Sequence, residues 1–226
     1  MSTRLSNVVL DAVDPSELAR FWAELLDWRV SRPGVVRAPP DDGCELDLVF
    51  VPRSEPKTRK NRMHLDLSSA APDQQMVIVT RALALGASRV DVGQRNVPWI
   101  VLADPEGNEF CALEPRPEYA ATGAVAAVVM DAVDPAELAQ FWSAASGWPQ
   151  VMASPKTASL RAPHSRGPWL EFVWTGEPHE TPNRVRMDLL PGEDRAAEVA
   201  YLVELGARRI GAGVMADPEG NEFRVL

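Results

Sequence analysis

At 226 residues the chain is long enough for two ordinary domains, each able to bury its own core. Apolar residues make up 46% and charged residues 24%, the balance of a soluble globular protein. The net charge of −9 repels phosphate backbones, and the densest basic run, Lys57-Thr58-Arg59-Lys60, reads as a solvated loop, so nucleic acid is excluded as a partner. Met1–Arg4 leads into Val8–Asp11 without the apolar core of a signal peptide, and no run approaches ~18 apolar residues. The expectation is a cytoplasmic chain with no membrane partner. Cys44 and Cys111 are too few for a disulfide framework or a cysteine-rich zinc site.

Val8–Val13 is rich in β-branched residues and reads as a strand. Asp14-Pro15-Ser16-Glu17 then supplies a helix start, with Asp14 as cap, Pro15 in the first turn and Glu17 returning a bond to the cap amide. Leu18, Phe21, Trp22, Leu25 and Leu26 make one apolar helical face. Glu45–Val51 and Met63–Leu67 follow as strands. A second helix opens at Pro72 or Asp73, carries Met76, Val79 and Leu83, and ends at Gly86. Ser88–Val92 and Trp99–Leu102 read as strands. Asp104-Pro105-Glu106-Gly107 is a turn with each residue in its preferred place, and Phe110–Leu113 returns beside it.

The same grammar then repeats. VVLDAVDPSELARFW at 8–22 answers VVMDAVDPAELAQFW at 128–142, with twelve of fifteen positions identical. Asn61-Arg62 answers Asn183-Arg184, Leu85-Gly86-Ala87 answers Leu205-Gly206-Ala207, and ADPEGNEF recurs unchanged at 103–110 and 216–223. Four blocks in one order define an internal duplication. The order is β-α-β-β-β twice per copy, which predicts an α+β protein of four βαβββ modules in two tandem domains, 1–114 and 124–226. A Pro-containing linker, 115–123, joins them. The spacing leaves open whether modules pair within each copy or across copies.

These blocks resemble the glyoxalase/bleomycin-resistance, or vicinal oxygen chelate, superfamily, and more closely its glyoxalase-like branch. The resemblance covers nearly the whole chain and implies curved mixed sheets around a small-molecule pocket. It also implies three metal-ligand positions per domain: early in the first strand, early in the fifth, and three residues past the "GN" of the last. Here these carry Asn7, His64 and Cys111 in the first copy, and Ala127, Arg186 and Arg224 in the second. The second copy offers no ligand, and Asn-His-Cys is a poor match to sets that hold a catalytic divalent ion. No cofactor is therefore expected, and a divalent metal is disfavoured.

Strand alternation puts Val9 and Asp11 on the face of Asn7, Asp66 beside His64, and Glu109 and Leu113 beside Cys111. In the second copy it groups Ala127, Val129 and Asp131 with Arg186, Asp188 and Arg224. Read copy by copy, the two arginines neutralise Asp131 and Asp188 and leave that half structural, while Asp11 and Asp66 stay unsatisfied in the first. Trp99, Trp169 and Trp174 are candidate pocket walls.

Besides an interaction module whose cups are vestigial, two functions compete. One is a small-molecule-binding protein that sequesters or acts on a polar or cationic organic metabolite or antibiotic, with Asn7, Val9, Asp11, Trp99, Cys111, Arg186, Asp188 and Arg224 as ligand-binding residues. The other is a lyase or isomerase of the superfamily with His64 as general base and Asp66 orienting it. A homodimer is left open. No nucleophile elbow, phosphate loop or HExxH motif is present.

Overall fold

The computed structural model describes residues 3–94 and 96–226. The first module contains β1 (Arg4–Ala12), α1 (Pro15–Leu26), β2 (Arg29–Arg32), β3 (Val35–Arg37) and β4 (Asp47–Pro52). The second contains β5 (Met63–Leu67), α2 (Pro72–Ala84), β6 (Ser88–Arg89), β7 (Ile100–Ala103) and β8 (Glu109–Ala112). A single 3-10 turn, Pro117–Tyr119, lies in the linker. The third module is β9 (Val125–Ala132), α3 (Pro135–Ser146), β10 (Gln150–Ala153), β11 (Thr157–Arg161) and β12 (Trp169–Trp174). The fourth is β13 (Val185–Leu190), α4 (Arg195–Glu204), β14 (Arg208–Gly211), β15 (Val214–Ala216) and β16 (Glu222–Val225). Four βαβββ modules are present, as the duplication predicts.

Pairing crosses the copies. One eight-stranded mixed sheet runs β14-β15-β16-β13-β1-β4-β3-β2 and joins the first module to the fourth. The other runs β10-β11-β12-β9-β5-β8-β7-β6 and joins the second to the third. We call these the outer-module and inner-module sheets. At their centres β1 pairs antiparallel with β13 and β5 with β9. Each sheet is completed within one chain, so neither needs a second copy.

The repeat blocks account for what holds each copy together while its strands pair elsewhere. Leu18, Phe21, Trp22, Leu25 and Leu26 of α1 are all buried, and Trp22 meets Phe110 of β8 edge-on at 5.1 Å. Its indole N–H donates to Asp104 Oδ2 at 3.2 Å. Trp142 repeats both contacts, on Phe223 at 5.4 Å and Asp217 Oδ2 at 3.1 Å. Asp14 caps α1 through Ser16 N and Glu17 N. The expected return bond from Glu17 is replaced: Asp14 N donates to Glu106 Oε1 at 2.8 Å, and Asp134 N to Glu219 Oε1 at 2.8 Å. The glutamate of each D-P-E-G turn reaches the helix start of the neighbouring module, and Glu17 is left to pair with Arg20.

Along α2 the structure buries Gln75, Val79 and Ala82, and leaves Met76 and Leu83 exposed. The buried stripe is rotated from the expected one because the Gln75 amide donates to the carbonyls of Pro98 and Ala112. No helix among the described residues is long and apolar enough to cross a membrane.

Candidate functional site

In both sheets alternate residues divide cleanly. Val8, Leu10 and Ala12 of β1 and Val128, Met130 and Ala132 of β9 face the helices and join the main core. Their neighbours face the other way, onto what we call the open face. Because pairing crosses the copies, the expected groupings are redistributed. Asn7, Val9 and Asp11 share the outer-module sheet with Arg186, Asp188 and Arg224. His64, Asp66 and Cys111 share the inner-module sheet with Ala127, Val129 and Asp131. Asn7 is therefore not part of a set with His64 and Cys111.

On the outer-module face, Asp11 is fully engaged. Its Oδ1 accepts from Arg186 at 2.6 Å and its Oδ2 from Arg53 at 2.9 Å. This corrects two expectations, that Asp11 is unsatisfied and that Arg186 pairs with Asp131. Asp131 instead takes Lys60 Nζ at 2.6 Å. Arg37 grips Asp47 with two bonds, at 2.8 and 2.6 Å. Asp188 is buried, its Oδ1 has no hydrogen-bond partner, and burial holds its carboxyl above the usual range against the pull of Arg186 and Arg224. Arg224 is exposed and Val9 is buried.

The inner-module face differs. One donor atom each of His64, Asp66 and Cys111 lies within 4.8 Å of the others. His64 Nε2 is 3.3 Å from Asp66 Oδ1, without the alignment of a hydrogen bond, so Oδ1 is buried with no partner. Burial and then the Asp66 charge push the Cys111 thiol far up, so it is a protonated, unreactive thiol. Asp66 therefore has no permanent cation in bonding contact, and only a protonated His64 would pair with it.

Sequence reasoning missed three further members of this face. Glu171 of β12 stands in register with Val129, across β9 from His64. Burial raises its pKa, with Asp66 adding to the shift, while a hydrogen bond from the Tyr119 hydroxyl at 2.9 Å opposes it. Tyr119, read as linker, is buried and meets Trp169 edge-on at 6.3 Å. Arg116, also linker, sits 5.5 Å from the Trp99 ring centre and 5.7 Å from that of Tyr119. Cys111, Leu113, Tyr119 and Ala126 form a second apolar cluster, with Trp99, Val101 and Trp169 packed against it. The only signal for the linker's role lay in its aromatic and charged residues, Arg116 and Tyr119, which a flexible connector does not need. Trp174 is half exposed at the far end of β12 and takes no part.

A larger cleft, about 780 Å3, lies between the loops that follow β4 and β12. Its basic residues are already paired, Lys57 with Glu109, Arg59 with Glu180, Arg62 with Glu219. A concavity of about 430 Å3 borders the inner-module face at Trp99 and Val101. That volume suits a small organic molecule.

Paired βαβββ modules whose open faces carry convergent polar groups define a small-molecule scaffold of the vicinal oxygen chelate kind. The glyoxalase-like domain model matches residues 7–113 and 127–226, and the chain belongs to that family. Among solved structures it is similar to glyoxalase I from Zea mays, at 12% identity and a TM-score of 0.66, covering 99% of this chain and 92% of that one. It is likewise similar to a candidate dioxygenase from Bacillus subtilis, at 12% identity and a TM-score of 0.64, covering 98% and 84%. At such identity the likeness shows the fold alone. No curated protein matches the chain.

The family implies a divalent ion on the open face. His64, Asp66 and Cys111 match a borderline-soft ion such as Zn2+ in number and kind, and Asp66 supplies the carboxylate that the sequence reading did not count. Their setting does not match. A metal-binding imidazole is normally aimed by a hydrogen bond from its other nitrogen, and the His64 ring takes part in no hydrogen bond among the described residues. The donors are not held in place for an ion.

Proposed function

We propose that the inner-module face is the working site, and that it binds a polar organic molecule carrying a positive charge, without a resident metal. The observation that carries this reading is Asp66 Oδ1, buried and without a hydrogen-bond partner, on the same face as Glu171 and the wall of Trp99, Tyr119 and Trp169. A buried carboxylate oxygen left unmet costs about 1–3 kcal/mol, which a cationic ligand would recover. Aromatic faces add attraction for the same charge. On the outer-module face Arg186 and Arg53 already perform that role for Asp11, and Asp188, whose Oδ1 is also unmet, lies in the field of Arg186 and Arg224.

The test is a titration with organic amines and amidines, followed by tryptophan fluorescence. Asp66→Asn should lose about tenfold in affinity, roughly 1.4 kcal/mol, and Arg186→Met should leave affinity unchanged. If only the arginine change abolishes binding, the site lies on the other sheet.

A second reading has one observation in its favour. His64 Nε2 stands 3.3 Å from Asp66 Oδ1, although the two residues are neighbours on one strand. A carboxylate so placed stabilises the imidazolium that forms when His64 takes a proton, as an isomerase or lyase requires. That reading predicts exchange of an acidic ligand C–H in deuterated water, seen by NMR and abolished in His64→Asn. A bound ligand that shows no exchange would leave sequestration as the function.

A further inference from the structure

The Arg116 guanidinium occupies the slot between Trp99 and Tyr119 at 5.5 and 5.7 Å from their ring centres. Those distances are within reach of a cation–π contact. It comes from the segment between the two copies, so it covers the inner-module face and has no counterpart over the other sheet. Its Nε bonds to Glu114 Oε1 at 2.6 Å, while Glu114 Oε2 is buried with no partner. Glu171, close enough for its pKa to feel both Asp66 and Arg116, has the neutral Tyr119 hydroxyl as its hydrogen-bond donor. Three carboxylates, Asp66, Glu114 and Glu171, thus surround a slot that one tethered guanidinium fills.

We propose that Arg116 is an internal stand-in for the ligand, and that the ligand is a planar organic cation, an amidinium or guanidinium, which displaces it from the Trp99–Tyr119 slot. The proposal rests on the reading of the inner-module face as the working site and names its ligand class. The slot can open because Arg116 and Glu114 are each about a quarter exposed, with side-chain accessibilities of 24% and 26%, and lie outside the strands. The concavity of about 430 Å3 adjoins one wall of the slot at Trp99. A tethered competitor lowers apparent affinity by holding most molecules in the filled state.

Benzamidine, cationic and flat, and benzamide, its neutral isostere, separate charge from shape. Titration of the full chain, followed by tryptophan fluorescence, should show benzamidine binding five- to tenfold tighter in Arg116→Ala than in the natural protein, roughly the strength of one displaced cation–π contact. Arg116→Lys, which keeps the charge, should behave like the natural protein, and benzamide should bind no variant measurably. Weaker or unchanged benzamidine binding in Arg116→Ala would overturn the proposal, as would benzamide binding equally well. If Asp66→Asn still weakens benzamidine binding in that case, the working face stands and the role of Arg116 alone is lost. If no variant binds benzamidine, both fail.

Discussion

The two open faces are built on the same scaffold and finished in opposite ways. At equivalent positions the outer-module face carries Arg186, Asp188 and Arg224 where the inner-module face carries His64, Asp66 and Cys111. Arg37 lies against Asp47 in one sheet, and Arg161 lies over Trp169 in the other. The first face meets Asp11 with two guanidinium groups. The second keeps Asp66 and Glu171 in a partly apolar wall and brings no arginine into bonding contact with either. Most of what the two copies share in sequence, by contrast, builds scaffold: the Asp14 and Asp134 caps, the Trp–Asp bonds, and the D-P-E-G turns. The shared aspartates, Asp66 and Asp188, are set apart by the neighbours in which the copies differ, His64 and Cys111 against Arg186 and Arg224.

The comparison can be broken at several strengths. The largest effect is expected where the halves agree. Trp22→Ala and Trp142→Ala each empty a fully buried position and remove the donor to Asp104 or Asp217. Each should cost about 3–5 kcal/mol in denaturant unfolding, and the two costs should match within about 1 kcal/mol. A silent change at either position would mean that the halves are not equivalent.

The next effect concerns the same bonds through pH. Burial pushes the Asp104 carboxyl up to about 6, against the pull of Asn108, Trp22 and backbone donors. The folded value lies above the ordinary aspartate value of 3.8, so folding favours the protonated form. The penalty is absent below about pH 4, grows as pH rises towards 6, and is complete above it. Relative to Asp104→Asn, the natural protein should lose up to about 3 kcal/mol of stability across that window. Only the slope is diagnostic, because the amide also changes the hydrogen bonds. A flat difference between pH 4 and 7 would show that Asp104 titrates normally.

Smaller effects should take opposite signs on the two faces. Arg186→Met leaves Asp11 with Arg53 alone, and half of a broken buried pair is worth about 2 kcal/mol of lost stability. Asp66→Asn removes an uncompensated charge and should be neutral or stabilising by roughly 1 kcal/mol, even as it weakens ligand binding. If both changes destabilise equally, the faces do not differ in the way their charges suggest.

Much of the fold was legible in the residues themselves. The β-α-β-β-β order follows from strand-rich runs, the Asp14 and Asp134 caps and the glycine-ended helices, and β5 coincides with the stretch Met63–Leu67 read as a strand. The pairing of modules was not legible. Each module's strands carry the same alternation in either pairing, so periodicity does not distinguish partners within a copy from partners across copies. The site was legible in part for the same reason. His64 and Cys111 were found at positions that the family resemblance implies, and Asp66 by alternation along the strand of His64. Glu171 and Trp169 come from the other copy, and Tyr119 and Arg116 from a segment whose composition reads as linker, so only the cross-copy sheet brings them together. Glu106 and Glu219 were read as turn residues, but their bonds to the helix starts needed the distance between modules to be known.

The smallest expected effect is that of zinc, and it bears on the inner-module face most directly. His64, Asp66 and Cys111 are the right kinds of donor in one place. A metal site also requires that its ligands be aimed before the ion arrives, and here the His64 ring has no hydrogen bond. A further cost is the Cys111 proton, held by burial and by Asp66 and released only to a tightly bound ion. Both features predict a dissociation constant above about 100 μM. Zinc at ~50 μM would then stabilise the protein by less than about 0.3 kcal/mol, a thermal shift of at most a degree or two. Cys44 does not compete, since burial pushes its thiol up to about 12. Protein purified without chelator should accordingly carry far less than one equivalent of Zn2+, with no difference between the natural chain and His64→Ala. A stoichiometric ion lost in that variant would reverse the assignment: the orphan oxygen of Asp66 would then be a metal ligand rather than the seat of an organic cation, and Arg116 would guard a metal centre.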